Sequence, residues 1–374
     1  MSAPLISVVV IAYNYGRFIE ECLDSVLAQD FPMEKVEILV VDDGSTDDTG
    51  ERVKKYGSRV RYLYKPNGGQ ASALNLGIAN ASGEIVVLLD ADDFILPGKL
   101  ARIAEAFERD PALGMAYHRI QEWHMDTGER RDWELPTVSG DMHKEPGKFV
   151  WYVTPPNLAI SFRRSALNKL MPIPEEIRML ADCYIAALIP FIAPVLAIPE
   201  IYAIYRYHGT NSYASTAQEV PLETRKKKLR MWQIVTDAML TWIAEHGYTR
   251  KQRAVKAMID RWNIIVEREE FTVTPPSRVR FFRYLLQCYR YRYPLMGWKL
   301  RAINLSNALG ALFVGYRNFH RLDEGREGLT RRMRTFVGGE VRSLPLDAGI
   351  EAGHAEAAIG ELARDYHLPD GLRR

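Results

Sequence analysis

At 374 residues, 47% of them hydrophobic and 26% charged, the chain holds enough apolar material for one large core plus an accessory region. Three widely spaced cysteines, Cys22, Cys183 and Cys288, exclude a disulfide framework and a cysteine-built zinc site; with no charged, apolar leader and no apolar run near the ~18 residues of a membrane span, the expectation is a cytoplasmic protein. The net charge of +2 hides a split: residues 1–214 carry 21 basic against 29 acidic side chains, a net of −8, and residues 215–374 a net of +10, so the two parts are expected to meet different partners.

A continuous β-branched run at Ile6–Ala12 predicts a strand buried on both faces of a parallel sheet. Helical spacing follows over 18–28, with Phe18, Cys22, Val26 and Leu27 on one side. A second buried strand over 36–41 ends in Asp42-Asp43-Gly44-Ser45-Thr46-Asp47, where Gly44 permits a turn and Ser45 or Thr46 caps the next helix. A short strand over 60–64, a helix over 70–81 and a fourth strand over 84–89 lead into Asp90-Ala91-Asp92-Asp93. Pro97 suits the first turn of a helix reaching Arg109. This alternation argues for a parallel sheet with helices on both faces. From 115 to 214 irregular, aromatic and proline-rich pieces surround short elements, as in a substrate-binding region over one end of a sheet. Beyond 215 the pattern is mainly helical, amphipathic over 229–245 and 254–267, and interrupted by Pro275-Pro276.

Ligands bind at the carboxyl ends of the strands in an open parallel sheet. Three polar clusters fall at such ends: Tyr13-Asn14, Asp42-Asp43 and Asp90-Ala91-Asp92-Asp93. Asp90 and Asp92, two apart at a strand end, can turn toward one cation, and hard carboxylate oxygens suit Mg2+ or Mn2+ shared with phosphate. Acidic strand-to-helix loops also serve as plain turn and cap material, but three clusters converging on one edge favour a site.

The segments 7–14 (SVVVIAYN), 40–47 (VVDDGSTD), 67–77 (NGGQASALNLG) and 83–93 (GEIVVLLDADD) together resemble the opening of a family 2 glycosyltransferase, closely over 5–110 and loosely over 111–212. Leu74 departs from the pattern, since many relatives carry Arg there. The resemblance implies the α/β GT-A fold: a Rossmann-like mixed, mostly parallel sheet flanked by helices, as a catalytic domain over 1–214. A mainly helical region over 215–344 and a tail over 345–374 would follow. It further implies inverting transfer from a nucleotide sugar, UDP by default, with a divalent metal, Mn2+ or Mg2+, as cofactor. By position, Asp43 would hydrogen-bond the base; Ala12, Tyr13, Asn14, Gln70 and Ala91 would line the donor pocket. Asp92 would be the principal metal ligand, and Asp90 would meet the ribose or the metal shell.

An inverting displacement needs a base opposite the leaving group. The family places an acid at the opening of a later helix; here Met179-Leu180-Ala181-Asp182 occupies that place, with Ala181 where Glu is usual, so Asp182 is the expected base. A plain helix-capping role for Asp182 is the alternative, with Glu175 and Glu176 as substitute bases. Segment 205–212 resembles the family's Arg-x-His segment, which offers Arg206 or His208 to the pyrophosphate and His208 to the metal. Asn157, after Pro155-Pro156, would face the acceptor or merely shape its loop.

Residues 271–322 contain no Asp or Glu but carry arginines interleaved with Phe, Tyr and Trp. Such a composition suits peripheral contact with an anionic membrane, and equally packing on the catalytic domain or a homodimer interface; nucleic acid is not expected. Membrane contact would agree with a polyprenyl-linked acceptor, a free glycan being the other candidate. Two rival functions fit the sequence less well. A sugar nucleotidyltransferase lacks support because Ala12-Tyr13-Asn14-Tyr15-Gly16-Arg17 is not a glycine-rich basic loop, and a non-catalytic scaffold would not need all of Asp43, Asp90, Asp92 and Asp182.

Overall fold

The computed structural model describes residues 5–133, 137–142, 144–146, 148, 152, 154–209, 211, 220–249, 251–292 and 309. The chain falls into two compact units, Met1–Asp260 and Arg261–Arg374.

The first unit is built on a nine-stranded mixed sheet. Its parallel half consists of β1 (Ile6–Ala12), β2 (Val36–Asp42), β3 (Arg61–Tyr64) and β4 (Ile85–Asp90), in the spatial order β3-β2-β1-β4. Every residue of β1 is buried, as its unbroken β-branched run requires. Its register sets up everything that follows: Ala12 lies opposite Asp42 on one side, and Ile11 opposite Asp90 on the other. Three strands therefore end level and deliver their polar residues to one edge.

Helices cover the faces. Helix α1 (Gly16–Leu27) buries Phe18, Ile19, Cys22, Leu23 and Val26; α2 (Thr49–Lys54) is a short turn after β2. Helix α3 (Gln70–Asn80) lies directly on β1 and β2 because Gly77 has no side chain: a Cβ there would stand 2.4 Å from Val9 Cγ1. After β5 (Phe94–Ile95), helix α4 (Lys99–Arg109) buries Leu100, Ile103, Ala106 and Phe107.

The other half of the sheet is antiparallel to β4 at its seam. It comprises β6 (Met115–His124), β7 (Arg130–Trp133), β8 (Ile160–Arg163) and β9 (Val195–Tyr207), with β8 joining β4 to β6 and β9 lying parallel to β6. Here the sequence reading falls short. Regular strands of 10 and 13 residues stand where irregular pieces were expected. The signal is masked because the pairing jumps from His118↔Ile198 to Arg119↔Ile201, so Pro199 and Glu200 sit in a bulge that no strand pattern reveals.

Helices α5 (Arg164–Leu167) and α6 (Ala181–Leu188) follow β8, and α7 (Leu222–Glu245) packs against α6 with Trp232, Val235, Met239, Trp242 and Ile243 buried. Two further helices, α8 (Arg253–Val273) and α9 (Arg278–Arg292), complete the helical C-terminal region. In the second unit Phe271, Phe281 and Leu285 form a small core, and Arg280 bonds Glu267 at 2.9 Å and also pairs with Glu270. No helix among the described residues is long and apolar enough to cross a membrane. Most of the acid-free run, 293–322 apart from residue 309, and the tail 345–374 lie outside the described residues.

Candidate active site

The loops after β1 and β2 are laced together. Asn14 adopts the left-handed conformation (φ 58°), which asparagine tolerates. Its amide N–H donates to Ser45 Oγ at 2.8 Å and its side-chain oxygen accepts from the Thr46 N–H at 2.8 Å. Asp42 accepts from the Ser45 N–H (2.7 Å) and the Tyr62 hydroxyl (2.6 Å). Ala12 is buried beneath this loop, while the Tyr13 ring is 47% exposed beside it.

Asp43 is buried and fully occupied. One carboxylate oxygen accepts from Lys65 Nζ and the Gly68 N–H, both at 2.8 Å; the other accepts from the Gly69 N–H at 2.7 Å and Asn67 Nδ2 at 3.1 Å. Its evident employment is to fold the 65–69 loop, and a nucleobase N–H would have to displace one of these donors. Gln70 is likewise engaged by protein: its side-chain oxygen accepts the Ala181 N–H at 2.8 Å.

The third cluster gathers carboxylates. Asp90 accepts from Asn157 Nδ2 at 3.0 Å, and Ala91 donates its N–H back to Ile11 at 3.0 Å. Burial, then the neighbouring Asp92, push the Asp90 carboxyl well above its usual range, against the pull of the Asn157 amide. Asp92 Oδ2 stands 3.0 Å from His208 Nε2 and at the 3.5 Å limit from Asn211 Nδ2. The Tyr15 hydroxyl lies near Asp92 as well; burial first, and then that carboxylate, raise the phenol far above its ordinary value. Asp93 turns inward, accepting the Arg206 N–H at 2.9 Å, and burial beside Asp92 and Asp90 raises it too.

Two ligands on a divalent cation at about 2.1 Å and a right angle stand ~3.0 Å apart, the separation found between Asp92 Oδ2 and His208 Nε2. Among the described residues no group of three His, Cys, Asp or Glu has metal-binding spacing. The Asp92–His208 pair alone would leave the other positions around such a cation to phosphate and water, the habit of Mg2+ and Mn2+ at phosphate sites.

Asp182 lies in the first turn of α6, after Leu180 in a left-handed conformation (φ 69°) that a leucine adopts only under constraint. The nearby backbone N–H groups of Cys183, Asp182 and Asn157 favour its carboxylate, yet burial outweighs them and pushes its pKa up to about 6. Asn157 thus bonds Asp90 through its amide and lies near enough to Asp182 for its backbone N–H to favour that carboxylate, and its own carboxamide oxygen has no partner among the described residues. Glu175 and Glu176 are exposed.

Of the residues singled out in the sequence, Asp90 bonds Asn157, Asp92 meets His208, and Asp182 lies within charge range of Asp90. Arg206 is buried. It is 1% exposed, lies between the rings of Phe18 (5.2 Å) and Phe94 (4.8 Å) and pairs through Nη1 with Glu21 at 2.5 Å, while its Nε and Nη2 have no hydrogen-bond partner among the described residues. Arg206 and His208 share one face, both packing on the Phe18 ring, and they differ in that His208, just past the end of β9, also reaches Asp92. Sequence reasoning passed over Tyr15, within a motif it had already quoted, and Lys99. Lys99 is wholly buried, donates to the Leu158 carbonyl at 2.6 Å, and burial pulls its pKa down to about 7. Nothing in its surroundings in the chain distinguishes it from a surface lysine at a helix start.

A sheet edge of this kind, with carboxylates able to share a cation with a diphosphate, marks the GT-A glycosyltransferases. The chain belongs to glycosyl transferase family 2: residues 7–170 match the family described as Glycosyl transferase family 2. An uncharacterized glycosyltransferase of Nostoc sp. (strain PCC 7120) is 33% identical over 232 residues, covering 60% of this chain and 71% of the relative. The chondroitin synthase of Pasteurella multocida (strain Pm70) is 39% identical over 117 residues, 30% of this chain but only 12% of the synthase. Among solved structures, the mannosyltransferase PcManGT from Pyrobaculum calidifontis, in complex with GDP-Man and Mn2+, matches with a TM-score of 0.51 at 19% identity, covering 86% of this chain and 84% of that one, and shares the GT-A fold.

Proposed function

We propose that this glycosyltransferase moves a sugar from a nucleotide diphosphate, UDP being the first to test, onto a hydroxyl of a glycan or lipid-linked glycan, inverting the anomeric centre in one displacement. The observation that supports this reading is the position of Asp90, which bonds Asn157 and lies within charge range of both Asp92 and the buried Asp182. Residues 1–214 are the proposed catalytic body, with the helices beyond them positioning it.

Asp92 and His208 would hold the divalent cation, with Asp90 and Tyr15 supporting them. When bound, that cation offsets the negative charge that develops on the departing diphosphate. The Tyr13 ring offers a stacking surface to the base, and Asp43 shapes the pocket through the 65–69 loop. Asp182, ionised near neutral pH yet more basic than an ordinary aspartate, takes the proton of the acceptor hydroxyl as the new bond forms. Burial of these carboxylates keeps competing water away from the displaced sugar.

Asp182→Asn tests the assignment. A panel of UDP-, GDP- and dTDP-hexoses with Mn2+, screened by thermal stabilisation, selects the donor. The variant is then expected to bind UDP as the parent does, by calorimetry, and to lose transfer by about 10^2-fold or more. Near-parental turnover would remove Asp182 as the base.

A further inference from the structure

Resting on the reading of Asp182 as the base, the structure assigns Gln70 a role of its own: we infer that it positions the base by capping the helix that carries it. Helix α6 has no side-chain cap from its own N-cap residue. Its N-cap residue is Leu180, which has no side-chain acceptor, and no side-chain hydrogen bond is made from that position. The first N–H of the helix, that of Ala181, instead donates to Gln70 Oε1, 111 residues away in sequence, at 2.8 Å. An N-cap needs an oxygen at that place, and Gln70 supplies it from another helix.

The arrangement is reciprocal. Gln70 is the first residue of α3, whose N-cap is Gly69, and the first two N–H groups of α3 donate to the segment entering α6: Gln70 N–H to Arg178 O at 2.9 Å and Ala71 N–H to Ile177 O at 3.3 Å. The two segments approach so closely that a Cβ on Gly69, already at φ 87°, would lie 2.8 Å from Arg178 Cα. A second tie runs from the Arg178 guanidinium to Asn67 Oδ1 at 2.5 Å, and Asn67 is in turn held by Asp43. Leu180 is thereby kept left-handed, and Asp182, two residues on, leaves the helix start in a fixed direction. Gln70 is a positioning residue, not a donor contact.

The test pairs Gln70→Met, which keeps the length and removes the acceptor, with Gln70→Glu, which keeps an acceptor and adds a negative charge. With the donor selected above, Gln70→Met is expected to lower kcat about 10- to 100-fold while the donor KM and the UDP affinity stay within about two-fold. Gln70→Glu is expected to restore the kcat plateau and move its acid limb to higher pH, because the added charge disfavours the Asp182 carboxylate. Should Gln70→Met melt below the assay temperature, the pH shift in Gln70→Glu decides alone. A raised donor KM with unchanged kcat would make Gln70 a donor contact and overturn the inference. So would parental kinetics in Gln70→Met, or an unmoved acid limb in Gln70→Glu. Asp182→Asn separates the two levels: if it is inactive and Gln70→Met is not impaired, only the positioning role falls; if it remains active, the base assignment falls first.

Discussion

At Asp182 two opposing influences meet on one carboxyl group. Burial favours the neutral acid, whereas N–H groups from Cys183, Asp182 and Asn157 favour the carboxylate, and the balance lies near 6. A base must be ionised to work, so kcat/KM is expected to rise with pH through about 6 and level off above 7. Rate profiles at saturating metal would check this; a profile flat down to pH 4.5 would mean that another group takes the proton. Asp43 shows the reverse lesson. Its place in the Asp42-Asp43-Gly44-Ser45 motif was legible, but four donors on two oxygens make it a loop anchor, and no motif states how many lone pairs are already spent.

Among the elements, the β6–β7 hairpin and the end of β9 present an aromatic face. Trp133 and Tyr205 lie 6.3 Å apart, Tyr205 and Tyr207 5.0 Å, and His124 stacks on Tyr207 at 4.5 Å with nearly parallel planes. Among the described residues Glu122 is bonded here by the Tyr207 hydroxyl at 3.2 Å. Aromatic rings stack on the apolar faces of sugars, and a carboxylate accepts from their hydroxyls. Trp133, 36% exposed at the rim, is the accessible member. Trp133→Ala is expected to raise the acceptor KM about 5- to 10-fold and leave the donor KM unchanged, in transfer assays with varied acceptor. An equal effect on donor and acceptor would refute a role confined to the acceptor.

The sequence revealed the well-buried strands β1, β2 and β4, where composition alone signals the element, and also the short, partly exposed β3. The strands it concealed, β6 and β9, carry charged residues, one bulge and a proline, and owe their regularity to each other. For the same reason the strand-end acids were readable, while the Gln70–Ala181 bond was not: it joins two helices through a contact that leaves no local pattern.

For the molecule as a whole, buried ionisable groups set the pH range of stability. Asp182 has its folded-state pKa raised, so its favourable contribution is complete below pH 4 and lost as pH rises through 6. Lys99 has its pKa depressed, so the unfolded chain holds more protons between about 7 and 10.5, and its contribution grows with pH across that window. Urea denaturation is expected to show stability rising from pH 7 to 10 by a few kcal/mol more in the parent than in Lys99→Met. Identical slopes would show that Lys99 stays protonated when folded.

The Asn157 amide ties the turn after Pro155-Pro156 to the end of β4, so a shift of that turn is passed to the Asp90 carboxylate. On the proposed reading, the spacing between the diphosphate edge and the acceptor side would then be set by the polypeptide itself, and a redesign for a bulkier acceptor would have to rebuild the turn that carries Asn157.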